Sequence, residues 1–559
     1  MAGFVVCHQF GELMHTISHR ACNRVSTSAP WCFGAFAVWA AFAPAAVQAA
    51  CTETPAALTA SAADVCTATL PAYTAGGHAL FANGAGALIT VPHDVTVNAA
   101  GNLAGGGLGT AVAANGGALN FQRGLTLTQN GRHNTYGLAA PDVASGGAGR
   151  IHAQDVNIVM GHSGLYRRAV MALGTEGEVH IAGKATITAT GNGEHRGLSA
   201  EDGGVITYGA ADIDFTNYDG SAALRVIVRD PKLPATVRST LTANGRSTLK
   251  VSGARSSVAF LSRADVKLQA LDVTAAAGAQ GVEFSGPGSF SAEGGTIGVA
   301  DGGSAFFYAA AAGASSVVLK NVAVEADANS FLWNSAATAA VTFQGVGGSY
   351  TGRSKLAAGA ALNVGLENGA RWAMTADSQM SLLTLTGSAR LEVTDSHTLT
   401  ANAHNTAGVV SLQDGDANDT LTVDGGYEGG GSLALDTALG AGPVGADVLR
   451  VTGDVAGAAT RIKMRLTAGA AGAATAGNGI LVVQVAGASP AGAFVLDGPV
   501  WHGGYLYELK QIGNDWFLQS RAAPAPVVKQ VPTLQGAGLI ALALLLALGT
   551  ALGLRRQRG

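Results

Sequence analysis

Between about residue 75 and residue 410 the sequence repeats a short pattern of alternating side chains. Three downstream segments, "DVKLQALDV", "SFSAEGGTIGV" and "SVVLKNVAV", end at Val273, Val299 and Val324. Three upstream segments, "RIHAQDVNI", "EVHIAGKATI" and "VITYGAADI", end at Ile158, Ile187 and Ile213. Because alternate side chains of a strand point to the same side, this pattern predicts strands. One unit of about 25 residues cannot bury its apolar side alone, so successive units must stack.

Stacked units of this length predict an all-β fold, a right-handed parallel β-helix (solenoid) with rungs about 4.8 Å apart. Ala, Gly, Val and Ile suit a narrow core with no room for bulky aromatic rings. Asn-Gly pairs begin at Asn83, Asn115, Asn130, Asn192, Asn244 and Asn368, and they predict corners with positive φ. A multi-domain β-sandwich is the alternative, but its strands would recur every 8–12 residues or so, through hairpins.

The composition agrees with a β-fold and excludes some classes of protein. Glycine contributes 79 of 559 residues, and only 13% of residues are charged. A disordered chain would carry more charge and fewer aliphatic residues. The net charge of −4 offers no basic surface for nucleic acid, so no nucleic-acid partner is predicted.

The N-terminus has the layout of a secretory signal. Basic residues precede the apolar stretch "FGAFAVWAAFAPAAVQAAC", which ends in small residues. We therefore predict a signal peptide over residues 1–49, with cleavage between Ala49 and Ala50 and export through the general secretory route. A buried N-terminal helix is the alternative.

Two cysteines follow the predicted cleavage site. Cys51 and Cys66 are 15 residues apart, and in an oxidising compartment we expect a disulfide between them, which closes a small loop. This loop would belong to an N-terminal cap over residues 50–74. Two free thiols are the alternative, and two cysteines are too few for a zinc site.

The C-terminus predicts a membrane anchor. Gly536–Leu554 has 19 uncharged residues, which as a helix would extend about 28 Å, close to the thickness of a bilayer core. Arg555, Arg556 and Arg558 follow and predict a cytoplasmic basic tail, residues 555–559, with the body in the periplasm or outside the cell. A buried core helix is the alternative. Residues 521–535 form a proline-containing spacer before the helix.

From Gly365 to Ser520 the sequence resembles the passenger region of pertactin-like autotransporters. The resemblance lies in three stretches, "NGARWAMTADSQMSLLTLTGSARLEV", "NDTLTVDGGYEGGGSLALDTALGAGPVGADVLRVTGDVAGAATRIKMRLTAG" and "GNGILVVQVAGASPAGAFVLDGPVWHGGYLYELKQIGNDWFLQS". It implies a β-helix passenger over residues 75–410, and a cap with an autochaperone role over residues 411–520. The last antiparallel pair is expected at Tyr505–Leu509 and Asp515–Leu518, in a cap rich in aromatic residues.

The sequence departs from the autotransporter pattern after Ser520. Members of the family continue into a membrane β-barrel translocator, whereas 39 residues follow here, so we expect no self-transport. Val531, Pro532, Thr533 and Leu534 instead resemble the motif of an IPTL-type C-terminal sorting signal, and a transmembrane stretch and a basic cluster follow in the expected order. This resemblance implies a sorting protease as a partner. A remnant of an autotransporter that has lost its barrel is a further hypothesis.

The charged residues offer little catalytic chemistry. The richest clusters are "HRGLSAED", with His195 and Glu201, and "RVIVRDPK", with Arg225 and Asp230. We interpret both as solvated corners, because lyases and hydrolases need carboxylates, or basic residues with bound calcium, on adjacent rungs. No catalytic residue and no cofactor are predicted.

One acidic stretch resembles the start of a calcium loop. "DGDANDTLTVDG" places Asp414, Asp416 and Asn418 at alternate positions, but Gly425 stands at position twelve, where a calcium loop needs a bidentate glutamate. We interpret the stretch as a polar turn and predict no metal.

These features together predict a non-enzymatic protein of the cell envelope, and the resemblance to pertactin-like passengers implies an adhesin-like, virulence-associated role. Its partner would be an unknown ligand on a host or neighbouring cell surface, and the choice between inner and outer membrane stays open. No Arg-Gly-Asp triplet is present. The second hypothesis is a β-helical carbohydrate-active enzyme, a lyase or a hydrolase.

Overall fold

The computed structural model describes residues 51–99, 110–130, 136–141, 147–161, 164–191, 193–309, 313–336, 338, 340–439, 445–469, 471–522 and 536–555. The chain divides into two compact units, Met1–Cys51 and Thr52–Gly559. Of the first unit only Cys51 is described, so the predicted signal peptide and its cleavage site at Ala49 and Ala50 lie outside the described residues.

Short strands dominate the second unit. The first group is β1 Thr52–Glu53, β2 Leu58–Ala60, β3 Val65–Thr67, β4 Ala72–Ala75, β5 Leu80–Asn83, β6 Leu88–Val91, β7 Val95–Ala99, β8 Ala111–Ala114, β9 Ala118–Phe121, β10 Leu125–Gln129, β11 Tyr136–Pro141, β12 Arg150–Ala153 and β13 Val156–Met160. The second group is β14 Gly164–Leu173, β15 Glu178–Ala189, β16 Gly193–Glu201, β17 Val205–Phe215, β18 Ala222–Ile227, β19 Ser239–Ser252, β20 Ser257–Ser262, β21 Ala264–Ala276, β22 Gln280–Phe284, β23 Gly288–Val299, β24 Ser304–Tyr308, β25 Ala314–Ala326, β26 Phe331–Ser335, β27 Ala340–Val346, β28 Ser349–Gly352, β29 Ser354–Leu356 and β30 Ala361–Glu367. The third group is β31 Arg371–Met374, β32 Ser378–Leu385, β33 Arg390–Val393, β34 His397–Asn405, β35 Val409–Ser411, β36 Thr420–Val423, β37 Tyr427–Gly429, β38 Ser432–Ala438, β39 Gly445–Ala446, β40 Val448–Val451, β41 Val455–Gly457, β42 Thr460–Leu466, β43 Ile480–Val485, β44 Phe494–Leu496, β45 Val500–His502, β46 Tyr505–Ile512 and β47 Asp515–Ala522.

The strands wind into a parallel β-solenoid with three faces. The first face is the sheet that runs from β2 through β5, β8, β11, β14, β16, β18, β20, β22, β24 and β26 to β29, each strand parallel to the next. Six long strands bend midway, so each supplies a segment to the second face and a segment to the third: β15, β17, β19, β21, β23 and β25. Two parallel strands cannot be joined by a hairpin, so the chain makes one full turn of the coil between one strand and the strand that pairs with it. This arrangement confirms the predicted solenoid. The predicted right hand stays a prediction.

The register between coils agrees with the sequence pattern upstream and differs downstream. Ile158 pairs with Ile187, and Ile187 pairs with Ile213, as predicted. Val273 pairs with Ile297 rather than with Val299, so the predicted alignment of that unit is wrong by two residues. Because side chains two residues apart share a face, alternation alone cannot detect a slip of this length.

The predicted Asn-Gly corners are confirmed at three positions and wrong at a fourth; in the pair that begins at Asn83, Gly84 has the positive φ, 111°. Asn115 and Asn368 have φ values of 52° and 54°, and Asn115 Nδ2 also donates a hydrogen bond to Asn83 Oδ1 at 2.7 Å. Asn244 lies inside β19 and has no positive φ, because the strand bends there through a shift of register before Arg246. The pairs that begin at Asn130 and Asn192 extend outside the described residues.

The core contains large aromatic residues, contrary to the prediction of a narrow aliphatic core. The ring of Trp333 lies 5.0 Å from that of Phe343 and 5.3 Å from that of Trp372, and all three side chains are buried. The ring of Tyr350 lies 5.5 Å from that of Phe343, and glycine makes the room for it, since a Cβ at Gly345 would lie 2.6 Å from the Tyr350 hydroxyl. The width of the core therefore varies along the solenoid with the size of the facing residues.

The C-terminal end of the solenoid closes with antiparallel strands. β46 pairs antiparallel with β47, which confirms the predicted last pair, and β47 pairs antiparallel with β43. Trp516 is 5% exposed, stacks edge-on against Phe494 and donates a hydrogen bond from Nε1 to Ser489 Oγ at 2.9 Å. An antiparallel hairpin does not continue the parallel coil, so it ends the stacking.

A single helix follows in the described part of the chain. This helix, α1, spans Gly536–Arg555 and begins at the residue where a helix was predicted. No helix among the described residues is both long enough and apolar enough to cross a membrane. The membrane-spanning role expected for Gly536–Leu554 stays a prediction.

Candidate functional site: an interaction face and two charge clusters

A buried ion cluster lies on the first face of the solenoid, around Glu201 at the end of β16. The Glu201 carboxylate is fully buried and accepts hydrogen bonds from Arg168 Nε at 2.7 Å, Arg225 Nε at 3.3 Å, the Arg229 guanidinium and Ser199 Oγ at 2.7 Å. Burial alone would raise the pKa of Glu201, but Arg168, Arg229 and Arg225 outweigh that effect and hold the pKa at about 2. We name these five residues the Glu201 cluster.

Two further basic side chains are buried beside this cluster. Arg167 is fully buried, and its guanidinium nitrogens have no hydrogen-bond partner among the described residues. His195 is also fully buried, with Nε2 at 2.8 Å from the carbonyl oxygen of Gly191. Burial lowers the pKa of His195 to about 4, against the raising effect of the Gly191 carbonyl, and Arg167 and Arg196 lower it further. The imidazole is therefore neutral at neutral pH.

The Glu201 cluster joins the two charge-rich segments of the sequence. Parallel pairing of β16 with β18 places Ser199 next to Arg225, which brings "HRGLSAED" and "RVIVRDPK" together. The interpretation of both segments as solvated corners is wrong for Glu201 and His195, because the coil packs them inside. A carboxylate bound by three guanidinium groups is a weak base, which makes Glu201 unsuited to general acid–base catalysis.

An outward-facing row of large side chains continues from the Glu201 cluster along the first face. The row occupies one register position on six consecutive strands, and we name it the outward stripe: Arg225, Phe260, Glu283, Phe307, Asn334 and Lys355. Its neighbours on each strand point into the core, as Leu224 and Val226 do beside Arg225. The stripe residues are half-buried, except for the exposed Lys355.

Side-chain contacts hold the outward stripe in place. The Arg225 guanidinium lies over the ring of Phe260, 5.4 Å from its centroid, which is cation–π geometry. Ser257 Oγ donates a hydrogen bond to the carboxylate of Glu283, and burial raises the pKa of that carboxyl. Asn334 Nδ2 donates to Ser304 Oγ at 3.2 Å. The sequence patterns did not identify four residues of the stripe: Phe260, Phe307, Asn334 and Lys355. The signal that could have found them is a single large side chain at an outward position of each strand, among small side chains.

A second charge cluster lies in the C-terminal part of the chain. Asp414, Asp416 and Asp419 each place a carboxylate oxygen within 4.8 Å of the other two, and we name them the aspartate cluster. Burial, and then Asp414 and Asp416, raise the pKa of Asp419 to about 6. The segment also carries Asp447, whose pKa burial raises to about 7 although backbone hydrogen bonds act against this.

The other residues predicted from the sequence have mixed outcomes. Cys51 and Cys66 are both disulfide-bonded in the structure. The motif Val531–Leu534, Arg556 and Arg558 lie outside the described residues, as does the side chain of Arg555, whose backbone ends α1.

The fold and its C-terminal closure define the class: a parallel β-solenoid that ends in antiparallel strands. Residues 396–509 match the family described as Autochaperone Domain Type 1, and residues 529–558 match the IPTL-CTERM motif. These two matches confirm the resemblance to a pertactin-like passenger that ends in an IPTL-type signal.

The relatives are similar over parts of their length. The chain is 35% identical over 132 residues to the Probable autotransporter YfaL of Escherichia coli (strain K12). That stretch is 23% of this chain and 11% of the relative, so the chain spans about a tenth of the relative's length.

Two solved structures resemble the chain weakly. The Hap adhesin of Haemophilus influenzae is 14% identical, with a TM-score of 0.33, over 83% of this chain and 59% of that one. The autotransporter UpaB from E. coli strain CFT073 is 12% identical, with a TM-score of 0.27, over 83% of this chain and all of that one.

Proposed function

We propose that the protein is an exported, non-enzymatic component of the cell envelope that binds another surface, in an adhesin-like way, through the outward stripe. The observation that carries the proposal is the order of parts in one chain. A parallel β-solenoid is joined to a region matched to an autochaperone domain, and a matched sorting motif follows. Solenoids commonly use their long faces to bind partners.

The outward stripe is the part of the solenoid best suited to contact a partner. Aromatic residues and arginine are enriched in protein interfaces, and here Arg225, Phe260 and Phe307 stand in a row on rigid strands. Phe260 and Phe307 offer ring surface, and Arg225, Glu283 and Lys355 flank them with both signs of charge. The partner would be a ligand on a host or neighbouring cell surface.

Localisation in the envelope is part of the same proposal. A signal peptide over residues 1–49 would start export, and the IPTL-type motif would present Val531–Leu534 to a sorting protease. In this proposal Gly536–Leu554 and the arginines after it hold the protein at a membrane until sorting. Cell fractionation with mass spectrometry of the mature C-terminus tests this part: an intact "LRRQRG" tail in the inner membrane would contradict sorting to the surface.

Substitution of the stripe tests the binding role. Phe260→Ala with Phe307→Ala removes two half-buried rings, and we expect cells that make this variant to lose most attachment to epithelial cells or to one another. The matched control, Lys267→Ala with Lys320→Ala, removes two exposed residues from the second face and should leave attachment unchanged. Both variants must reach the surface in equal amounts.

Equal attachment by the wild type and the Phe260→Ala/Phe307→Ala variant would contradict the role of the stripe. Cleavage of a polysaccharide by the purified wild-type protein would contradict the non-enzymatic role and favour a β-helical lyase or hydrolase.

A further inference from the structure

The aspartate cluster lies on the turn between β35 and β36, within the region matched to the autochaperone domain. Asp414 and Asp416 are exposed, whereas Asp419 is 5% exposed. Clusters of exposed acidic residues are common on protein surfaces, so the evidence for a binding site has to come from the buried residue, Asp419.

The buried carboxylate of Asp419 is incompletely satisfied. Its Oδ2 has no hydrogen-bond partner among the described residues, although the atom is inaccessible to solvent. A buried ionised oxygen without a partner is costly, and such a group calls for an explanation, of which a missing ion is one. The same side chain has a carboxylate oxygen within 4.8 Å of those of Asp414 and Asp416.

The surroundings add negative charge to this site. The Asp419 backbone NH donates to Asp447 Oδ1 at 3.2 Å, and the Gly415 NH donates to Asp436 Oδ2 at 2.8 Å, so two more carboxylates hold the turn from inside. Both Asp436 and Asp447 are fully buried. Arg465 is the cation paired with Asp436, through bonds of 2.5 Å to each carboxylate oxygen. Among the described residues, these five carboxylates form one ion pair, that between Asp436 and Arg465.

We propose that Asp414, Asp416 and Asp419 bind a divalent cation of the calcium class, which completes the coordination of the buried Asp419 oxygen and fixes the turn that precedes β36. Two oxygens bound to one Ca²⁺ at about 2.4 Å can be at most about 4.8 Å apart, and the cluster fits this limit without rearrangement. Water would occupy the exposed side. The oxygen-only ligand set is that of a hard cation.

The site differs from the calcium loop that the sequence suggested. In a helix–loop–helix calcium loop the twelfth residue supplies a bidentate glutamate, and here that position is Gly425. Asp419 takes no part in that spacing, and the buried third ligand becomes evident only when the strands are stacked. The ion would then stabilise the folded C-terminal region by mass action, because the unfolded turn has no preformed site.

Calcium titration of the full-length protein, after treatment with EDTA, tests the proposal. We expect CaCl₂ to raise the melting temperature by about one to two degrees at about ten times the dissociation constant, and calorimetry to show one saturable site. Asp416→Asn changes an exposed residue and should abolish most of this response. The matched control, Asp424→Asn, changes an exposed aspartate of the same region outside the cluster and should keep it.

A second variant separates binding from folding. Asp419→Asn should lose the calcium response but melt at a higher temperature than the wild type in EDTA, because it removes an unpaired buried charge. An equal calcium shift in the wild type and in Asp416→Asn, or no shift in the wild type up to about 10 mM, a concentration above the range of weak extracellular sites, would overturn the proposal. Attachment through the outward stripe is measured separately, so failure of either proposal leaves the other standing.

Discussion

His195 and Glu201 lie on the same strand, β16, and both are fully buried in a protein with few charges. Parallel stacking explains this placement, because each residue of one coil lies over a residue of the next. Arg168 and Arg225 flank Glu201 from the preceding and the following strand. The sequence showed the residue types but not their burial, because these arginines are 57 positions apart in the chain.

The neutral His195 predicts a pH-dependent stability. A group whose pKa is lowered on folding binds fewer protons in the folded state, so stability is complete above the unfolded pKa of 6.5 and falls as the pH approaches 4. The shift corresponds to about 3 kcal/mol of unfolding free energy across this window. Urea unfolding at pH 7 and pH 4.5 measures it. His195→Gln should reduce the dependence, whereas His152→Gln, at an exposed site, should not.

Glu201 carries a second prediction at the scale of single residues. Glu201→Gln leaves the buried guanidinium of Arg168 without its counter-charge and should lower the unfolding free energy by about 3–5 kcal/mol. Arg229→Ala removes a half-exposed partner of the same carboxylate and should cost no more than about 1 kcal/mol. Equal losses for the two variants in urea titrations would contradict the cluster described above.

At the scale of elements, the alternation of side chains was enough to predict strands and their stacking, but not the register of every coil. The two-residue slip at Val299 arose because Ile297 offers an equivalent apolar side chain. The aromatic core residues were also unexpected, because the space for a ring such as that of Tyr350 is made by a glycine on another strand, Gly345. The local sequence pattern contains neither the register between coils nor the space available around a core side chain.

The antiparallel closure predicts how the solenoid is stabilised. Trp516→Ala leaves a cavity beside Phe494 and an unpaired Ser489 hydroxyl, and it should cost about 3–5 kcal/mol. If this region nucleates folding, refolding from guanidinium should also slow for the whole solenoid. Trp501→Ala is the matched control, since Trp501 is 52% exposed, and it should refold at the wild-type rate. Stopped-flow fluorescence follows both variants.

At the scale of the whole molecule, the sequence predicted the fold class and the order of its parts, and the family matches confirm the resemblance on which that order depends. The candidate face was not predicted, because Phe260 and Phe307 become neighbours of Glu283 only through parallel pairing. The burial of Asp419 beside Asp414 and Asp416 likewise became evident only in the folded chain. Stacking places residues that are distant in the chain above one another on successive coils, and no local sequence motif indicates which residues meet in this way.

The register of the stacked coils can be measured directly by cysteine cross-linking. Asp272 and Thr296 face outward on β21 and β23 and are paired in register, with a hydrogen bond of 3.2 Å between their side chains. Adjacent positions on paired strands are within reach of a disulfide. Asp272→Cys with Thr296→Cys should therefore cross-link readily on oxidation, as peptide mapping by mass spectrometry would show, whereas Asp272→Cys with Gly298→Cys should not. Preferential cross-linking of the second pair would contradict the register described here, and cross-linking of neither pair would contradict the parallel solenoid itself.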